Sequence, residues 1–159
     1  MRDFFEKIIV EQELLAIRTG FRQSGKKLVF TNGCFDILHV GHIDYLTFSR
    51  KQGDLLVVGL NSDRSVRVNK GPTRPVNSED DRAKVLSALE CVDYVVIFDD
   101  KEPARLIGEI LPDILVKGED WAHYVSGREA VEANGGKVVL APLTPGRSTT
   151  GTIAKLKNT

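Results

Sequence analysis

Short β-branched and apolar runs alternate with helical stretches along the chain, and this alternation predicts an α/β fold. Three observations carry it. Leu55 to Leu60 is continuously apolar, as expected of a strand covered on both faces. Five strand-like runs are separated by helical segments, which suits βαβ units with parallel strands. The handedness of parallel crossovers then leaves a Rossmann-like, doubly wound five-stranded sheet with helices on both faces. A length of 159 residues suits one domain, 1–159, with a lead-in helical segment over 1–26 and an α/β core over 27–159.

The elements follow in order. Val10 to Gln23 spaces Val10, Leu14, Leu15, Ile17 and Phe21 helically and stops near Gly25. Lys27 to Thr31 reads as the first strand, followed by a helix from His42 to Gln52 with Ile43, Leu46 and Phe48 inward. Leu55 to Leu60 is the second strand. Ser78 is an N-cap candidate for a helix whose stripe is Val85, Leu86 and Leu89. Tyr94 to Phe98 is the third strand, and Pro103 suits the first turn of a helix over Ala104 to Leu111. Ile114 to Val116 and Lys137 to Ala141 are the fourth and fifth strands, with a helix from Gly127 to Ala133 between them. Thr150 to Leu156 closes the chain as a helix.

Composition excludes several classes. Lys plus Arg and Asp plus Glu are both 22, so the basic excess of a duplex-binding domain is missing. The longest apolar run, Leu55 to Leu60, is far short of the ~20 residues of a membrane span. Cys34 and Cys91 lack zinc or disulfide-scaffold spacing and are expected to be small buried hydrophobes. The start, Met1-Arg2-Asp3-Phe4-Phe5-Glu6, carries acids and no long apolar core, so no signal peptide is expected and the cytoplasm is the default address.

In doubly wound sheets ligands bind at the carboxyl ends of strands, so polar residues there carry the functional reading. Thr31-Asn32-Gly33-Cys34-Phe35-Asp36-Ile37-Leu38-His39-Val40-Gly41-His42 runs from the first strand into a helix. A glycine-containing turn and a helix start together bind anions. His39 and His42 lie three apart, on one side of that helix start, and Gly41 lets a phosphate approach the backbone. Two imidazoles can stabilise charge growing on a phosphate. The plainer readings are a metal pair, for which partners are lacking, or an ordinary helix start.

Other strand ends are similar. Lys70 and Arg74 fall in a Gly/Pro-rich stretch without period, where a flexible loop could carry cations over an anionic pocket or be merely solvated. Arg82 sits among Glu79, Asp80 and Asp81, the usual setting of a surface ion pair. Lys117-Gly118-Glu119-Asp120 follows the fourth strand, and Gly146-Arg147-Ser148-Thr149-Thr150 opens the last helix as an anion site or a plain N-cap. Trp121 reads as pocket wall or core.

Taken whole, TNGCFDILHVGH resembles the first signature of the HxGH nucleotidyltransferase superfamily of cytidylyltransferases and adenylyltransferases. Together with LNSD, RPVN, ALECVDYVVIFDD, PDILVKGED and GRSTT, the chain is most similar to the adenylyltransferase domains of bacterial ADP-heptose synthases. The resemblance implies that His39 and His42 grip a triphosphate and stabilise the pentavalent transition state, with Gly41 giving access. It places the backbone around Thr31, Asn32, Gly33 and Phe35 along the nucleotide pocket and makes Lys70 a phosphate-binding residue. Lys117, Gly118 and Asp120 would contact the nucleotide, and Arg147, Ser148, Thr149 and Thr150 its β- and γ-phosphates. Asn61, Asp63, Arg74 and Arg82 would reach substrate or phosphate. Two departures stand out: Glu119 replaces an expected glycine, and no arginine follows Thr150 by three positions, so Arg147 would supply that cation.

The implied reaction joins ATP to a sugar 1-phosphate, D-glycero-D-manno-heptose 1-phosphate, by in-line attack on the α-phosphate. Mg²⁺ would be carried mainly by the triphosphate. A separate sugar kinase would supply the acceptor, no nucleic acid or membrane would be a partner, and superfamily analogy suggests a homodimer. Two alternatives stay open: a cytidylyltransferase using CTP and glycerol 3-phosphate or another alcohol phosphate, and a non-catalytic nucleotide-binding module.

Overall fold

The computed structural model describes residues 3–159, so the first two residues of the lead-in segment and of the expected domain lie outside the described residues. Six parallel strands form one sheet: β1 (Ile8–Ile9), β2 (Leu28–Gly33), β3 (Leu55–Asn61), β4 (Tyr94–Phe98), β5 (Ile114–Gly118) and β6 (Lys137–Ala141). Their spatial order is β1-β4-β3-β2-β5-β6. The sheet therefore has six strands, not five. The extra one, β1, pairs Ile8 with Val95 and Ile9 with Val96 at the edge. Two residues are too few to show a period in sequence.

The helices are α1 (Glu11–Gln23), α2 (Val40–Arg50), α3 (Asp63–Lys70), α4 (Glu79–Ser87), α5 (Ala104–Ile110), α6 (Arg128–Ala133) and α7 (Thr149–Lys157). Side chains alternate across each strand, so β2 sends Leu28 and Phe30 to one face and Val29 to the other. The first face is covered by Leu14 of α1, Leu106, Ile107 and Ile110 of α5, and Val131 of α6. Leu46 of α2 and Ala83 and Leu86 of α4 cover the second. Chain order moves outward from β2 to β3 and β4, then returns to β5 and β6 on the other side. The direction of winding reverses between β2 and β5.

One stretch expected to be aperiodic is helical. Ser62 accepts a hydrogen bond from the Ser65 amide and starts α3, which runs through Lys70 and stops at Gly71, where φ is 96°. Lys70 is thus the last residue of a helix, and only Arg74 lies on the loop. Val66 alone is the buried apolar residue of α3, too little for a readable stripe.

α1 is fastened to the sheet by an ion pair between the buried Arg18 and the half-buried Asp113. Arg18 Nη1 lies 2.7 Å from Asp113 Oδ2, and its other nitrogens donate to the Ile110 and Leu111 carbonyls. Asp113 also accepts the Leu28 amide. Replacing Asp113 by Ala strands a buried guanidinium, which costs about 3 kcal/mol. Thermal and urea unfolding of Asp113→Ala should show this loss, and an unchanged midpoint would show that the pair does not hold α1.

Candidate active site

A cavity of about 660 Å³ opens at the carboxyl ends of the strands, centred where the winding reverses. β2 delivers Asn32 and Gly33 to its floor, β5 delivers Lys117 and Gly118, and the starts of α2 and α7 meet side by side along its wall. Two helix starts facing one cavity bring unpaired N–H groups and partial positive charge to the same place.

His39 is the N-cap of α2 and His42 lies in its first turn, so the rings stack with centroids 3.9 Å apart. His42 Nδ1 faces the His39 amide at 3.4 Å, which puts the ring proton of neutral His42 on Nε2. Among the described residues His39 Nδ1 is buried without a partner, while Nε2 of neither ring is. Both Nε2 atoms are therefore the ring positions open to a ligand. Burial, with His39 beside it, pulls the His42 pKa down from 6.5 to about 4. Burial and then Arg147 also lower His39. Both rings are neutral donors while the cavity holds no anion.

Gly41 sits where a Cβ would come within 3.0 Å of the His39 ring and 3.3 Å of Arg147 Cβ. Only glycine leaves that approach open. The turn before α2 is tight: Phe35 has φ 44°, a conformation costing a non-glycine residue of order 1 kcal/mol. Its ring meets His42 edge-on at 5.3 Å, so the strained turn seats the start of α2.

Ser148 caps α7, accepting from the Gly151 amide, and Thr149 Oγ1 donates to the Ile37 carbonyl at 3.4 Å. Arg147, Ser148, Thr149 and Thr150 all line the cavity beside His39. Lys117 Nζ donates to Asn32 Oδ1 at 3.1 Å and lies 5.4 Å over Trp121. Burial lowers its pKa against the pull of Asp120. Trp121 is 46% exposed, so it is wall and not core.

Three of the expected contacts fall elsewhere. Thr31 is fully buried and does not line the cavity: its hydroxyl lies 2.5 Å from that of Tyr45, which does line it, and both lie 3.0 Å from the Val116 carbonyl. Arg82 is only 2% exposed and does not reach the cavity. It donates to the Cys34, Asn61 and Asn77 carbonyls and to Asp63 Oδ1 at 2.7–3.1 Å. Asp63 is occupied by that contact and likewise stands outside. The acids beside Arg82 in sequence are not what it pairs with; strand ends supply its acceptors. Asn61 and Arg74 do line the cavity. The two cysteines are partly buried, and Cys34 forms part of the cavity wall.

Asp36, visible in the first motif but given no role there, organises the loop at 74–77. It accepts from Arg74 Nε at 2.6 Å and from the Val76 and Asn77 amides at 2.9 Å. Burial would raise its carboxyl, but the Asn77 and Val76 amides and the Arg74 guanidinium prevail and hold it below the usual range. Lys101, Glu102 and Tyr124 also line the cavity, although no motif marked them.

Neutral imidazoles, two helix starts and clustered Lys and Arg define a protein that handles a nucleotide's phosphates. The profile of the cytidylyltransferase-like family matches residues 30–153. The chain belongs to that family. It is 51% identical over 155 residues to the bifunctional protein HldE of Syntrophotalea carbinolica, covering 97% of this chain and 32% of that protein. For the HldE of Geotalea uraniireducens the identity is 54% over 145 residues, covering 91% and 30%. The chain thus spans about a third of the length of these relatives. Among solved structures, a lipopolysaccharide core biosynthesis protein from Thermoplasma volcanium superposes with TM-score 0.61 at 32% identity, covering 76% of this chain and 98% of that one. A pantoate-β-alanine ligase from Francisella tularensis shares the fold, with TM-score 0.62 at 17% identity over 90% and 69% of the chains.

Two predictions follow from the geometry. Arg82→Met leaves three carbonyls without their donor, at a cost of about 3 kcal/mol, so it should lower the melting temperature by many degrees; a stable variant defective only in nucleotide affinity would instead put Arg82 on the phosphates. His42 has a folded pKa below its unfolded value, so the unfolded chain binds more protons and stability falls as pH drops from about 6.5 toward 4. Melting curves of His42→Gln should lose that part of the acid limb. A limb identical to the parent's would contradict the burial of the ring.

Proposed function

We propose that this protein is an adenylyltransferase that joins ATP to a sugar 1-phosphate, D-glycero-D-manno-heptose 1-phosphate, giving ADP-heptose and pyrophosphate. The observation that carries the reading is the pair of stacked, neutral histidines whose Nε2 atoms stay open to the cavity between two helix starts. The similarity to HldE over nearly the whole chain supports the acceptor class.

An oxygen of the sugar phosphate attacks the α-phosphorus of ATP, a new P–O bond forms, and the bond to the β-phosphate bridging oxygen breaks. A phosphate monoester is already ionised near neutral pH, so the attack needs no general base. Negative charge gathers on the α-phosphate oxygens, where His42 and His39 donate. Ser148, Thr149, Thr150 and Arg147 hold the β- and γ-phosphates, and Lys70 reaches the triphosphate from the end of α3. Lys117, Gly118 and Asp120 hold the nucleoside side beside Trp121. Asn32, Gly33, Phe35 and Gly41 shape the floor.

Mg²⁺ fits this donor set only as a partner of the triphosphate. No group of three or more His, Cys, Asp or Glu residues is placed to hold a metal among the described residues. Of the cavity's carboxylates, Asp36 is committed to Arg74 and two amides. A bound Mg²⁺ would screen the triphosphate's charge, leaving positioning to the side chains. The reaction that supplies the acceptor is phosphorylation of a sugar at its anomeric oxygen.

His42→Ala removes one preorganised donor and should lower kcat by ~10²–10³-fold. Lys70→Ala should raise KM for ATP together with a fall in kcat, because a cation on the triphosphate acts in both ground and transition states. At neutral pH both variants should melt as the parent does. Pyrophosphate release, measured with ATP and CTP across sugar and polyol phosphates, checks the reading: no turnover with any pair would make the protein a binding module, and CTP with glycerol 3-phosphate as the best pair would overturn the adenylyltransferase assignment.

A further inference from the structure

The cavity has two chemically unlike halves. Toward β5 and β6 it offers Trp121, Pro142 and Leu143, apolar surface suited to a base. On the β3 and β4 side its lining is polar, with Asn61, Asn69, Lys101 and Glu102. That half matches a molecule with an anionic end and many hydroxyls.

Glu102 is the acceptor in it with capacity to spare. Tyr124 donates to Oε2 at 2.7 Å and Ser126 Oγ to the same oxygen at 3.3 Å. Oε1 has no hydrogen bond among the described residues, and the side chain is exposed in the cavity wall. The loop bearing it is braced from α3: Ser65 Oγ donates to the Asp100 carbonyl at 2.7 Å, and Asn69 Nδ2 to the Lys101 carbonyl at 2.9 Å. Asn69 precedes Lys70, so the same helix end that carries the phosphate-binding lysine sets the distance to Glu102. A carboxylate with one oxygen anchored and the other free is preorganised to accept sugar hydroxyls.

Resting on the adenylyltransferase reading, we propose that Glu102 is an acceptor-binding residue: it takes hydroxyl hydrogen bonds from the polyol end of the sugar phosphate through Oε1, while Tyr124 and Ser126 position it through Oε2. No bond is made or broken at Glu102. Its effect is on acceptor binding alone.

The test measures binding of D-glycero-D-manno-heptose 1-phosphate by calorimetry with a non-hydrolysable ATP analogue present, alongside steady-state kinetics. Glu102→Ala should weaken acceptor Kd and KM ~10–100-fold, the scale of a hydrogen bond to a charged group. KM for ATP should stay within about twofold and the melting temperature should not move. Glu102→Gln keeps one acceptor oxygen and should lose less. Tyr124→Phe frees the carboxylate and should raise acceptor KM by a smaller factor with the same split. Unchanged acceptor Kd in folded Glu102→Ala, or an equal rise in KM for ATP, overturns the proposal. If Glu102→Ala does not fold, an unchanged acceptor Kd in Tyr124→Phe overturns it. Acceptor that binds the parent protein without turnover would sink the adenylyltransferase reading while leaving Glu102 decided by Kd; a parent that binds no acceptor would sink both.

Discussion

Reversal of winding between β2 and β5 is the constraint on which the site depends. Parallel strands all end at one edge, and right-handed crossovers send the chain from β2 one way and from β5 the other. The loops leaving those neighbouring strands must part, and a cleft opens where they do. Through it α2 and α7 direct their unpaired N–H groups inward. In a packed core such groups would be costly; beside an anion they are binding energy. The topology thereby supplies the setting for the proposed phosphate site before any side chain is considered.

Cations at this edge divide into two kinds. Arg82 and Arg74 serve the framework, Arg82 tying the ends of β2 and β3 to the start of α4 and Arg74 fastening its loop to Asp36. Buried guanidinium groups are tolerable because each finds carbonyl or carboxylate acceptors. Lys70, Lys117 and Arg147 line the cavity, and the proposed reading gives them to the ligand. The framework pairs hold the strand ends and the loop so that the second set keeps its spacing when an anion arrives.

The histidine pair shows why geometry and electrostatics must be read together. Stacked rings 3.9 Å apart would repel if both were charged, and burial keeps them neutral in the free protein. A triphosphate brings the opposing charge and reverses both penalties at once. Gly41 and the left-handed Phe35 belong to the same device, since a side chain at 41 or a relaxed turn at 35 would displace the rings.

Much of this was legible in one dimension. The span of β4, Tyr94–Phe98, coincides with its apolar run because burial imposes hydrophobicity on consecutive residues, and β6, Lys137–Ala141, was legible from its β-branched and apolar residues although only Ala141 in it is buried. The His39–Gly41–His42 motif and the Ser148 helix start are also local, and a short motif carries its chemistry in adjacent residues. What tertiary structure alone decided depends on groups distant in the chain. Arg82 looked like a surface charge among acids, yet its acceptors lie at 34, 61, 63 and 77. Asp36 meets a loop 38 to 41 residues away, and Glu102 meets Tyr124 across 22. A side chain's periodicity reports whether its neighbourhood is wet or dry; it does not say which carbonyl from another strand arrives beside it. Backbone pattern and local motifs were therefore set by the sequence itself, whereas the assignment of each charge to framework or ligand came only with the packing that brings strand ends together.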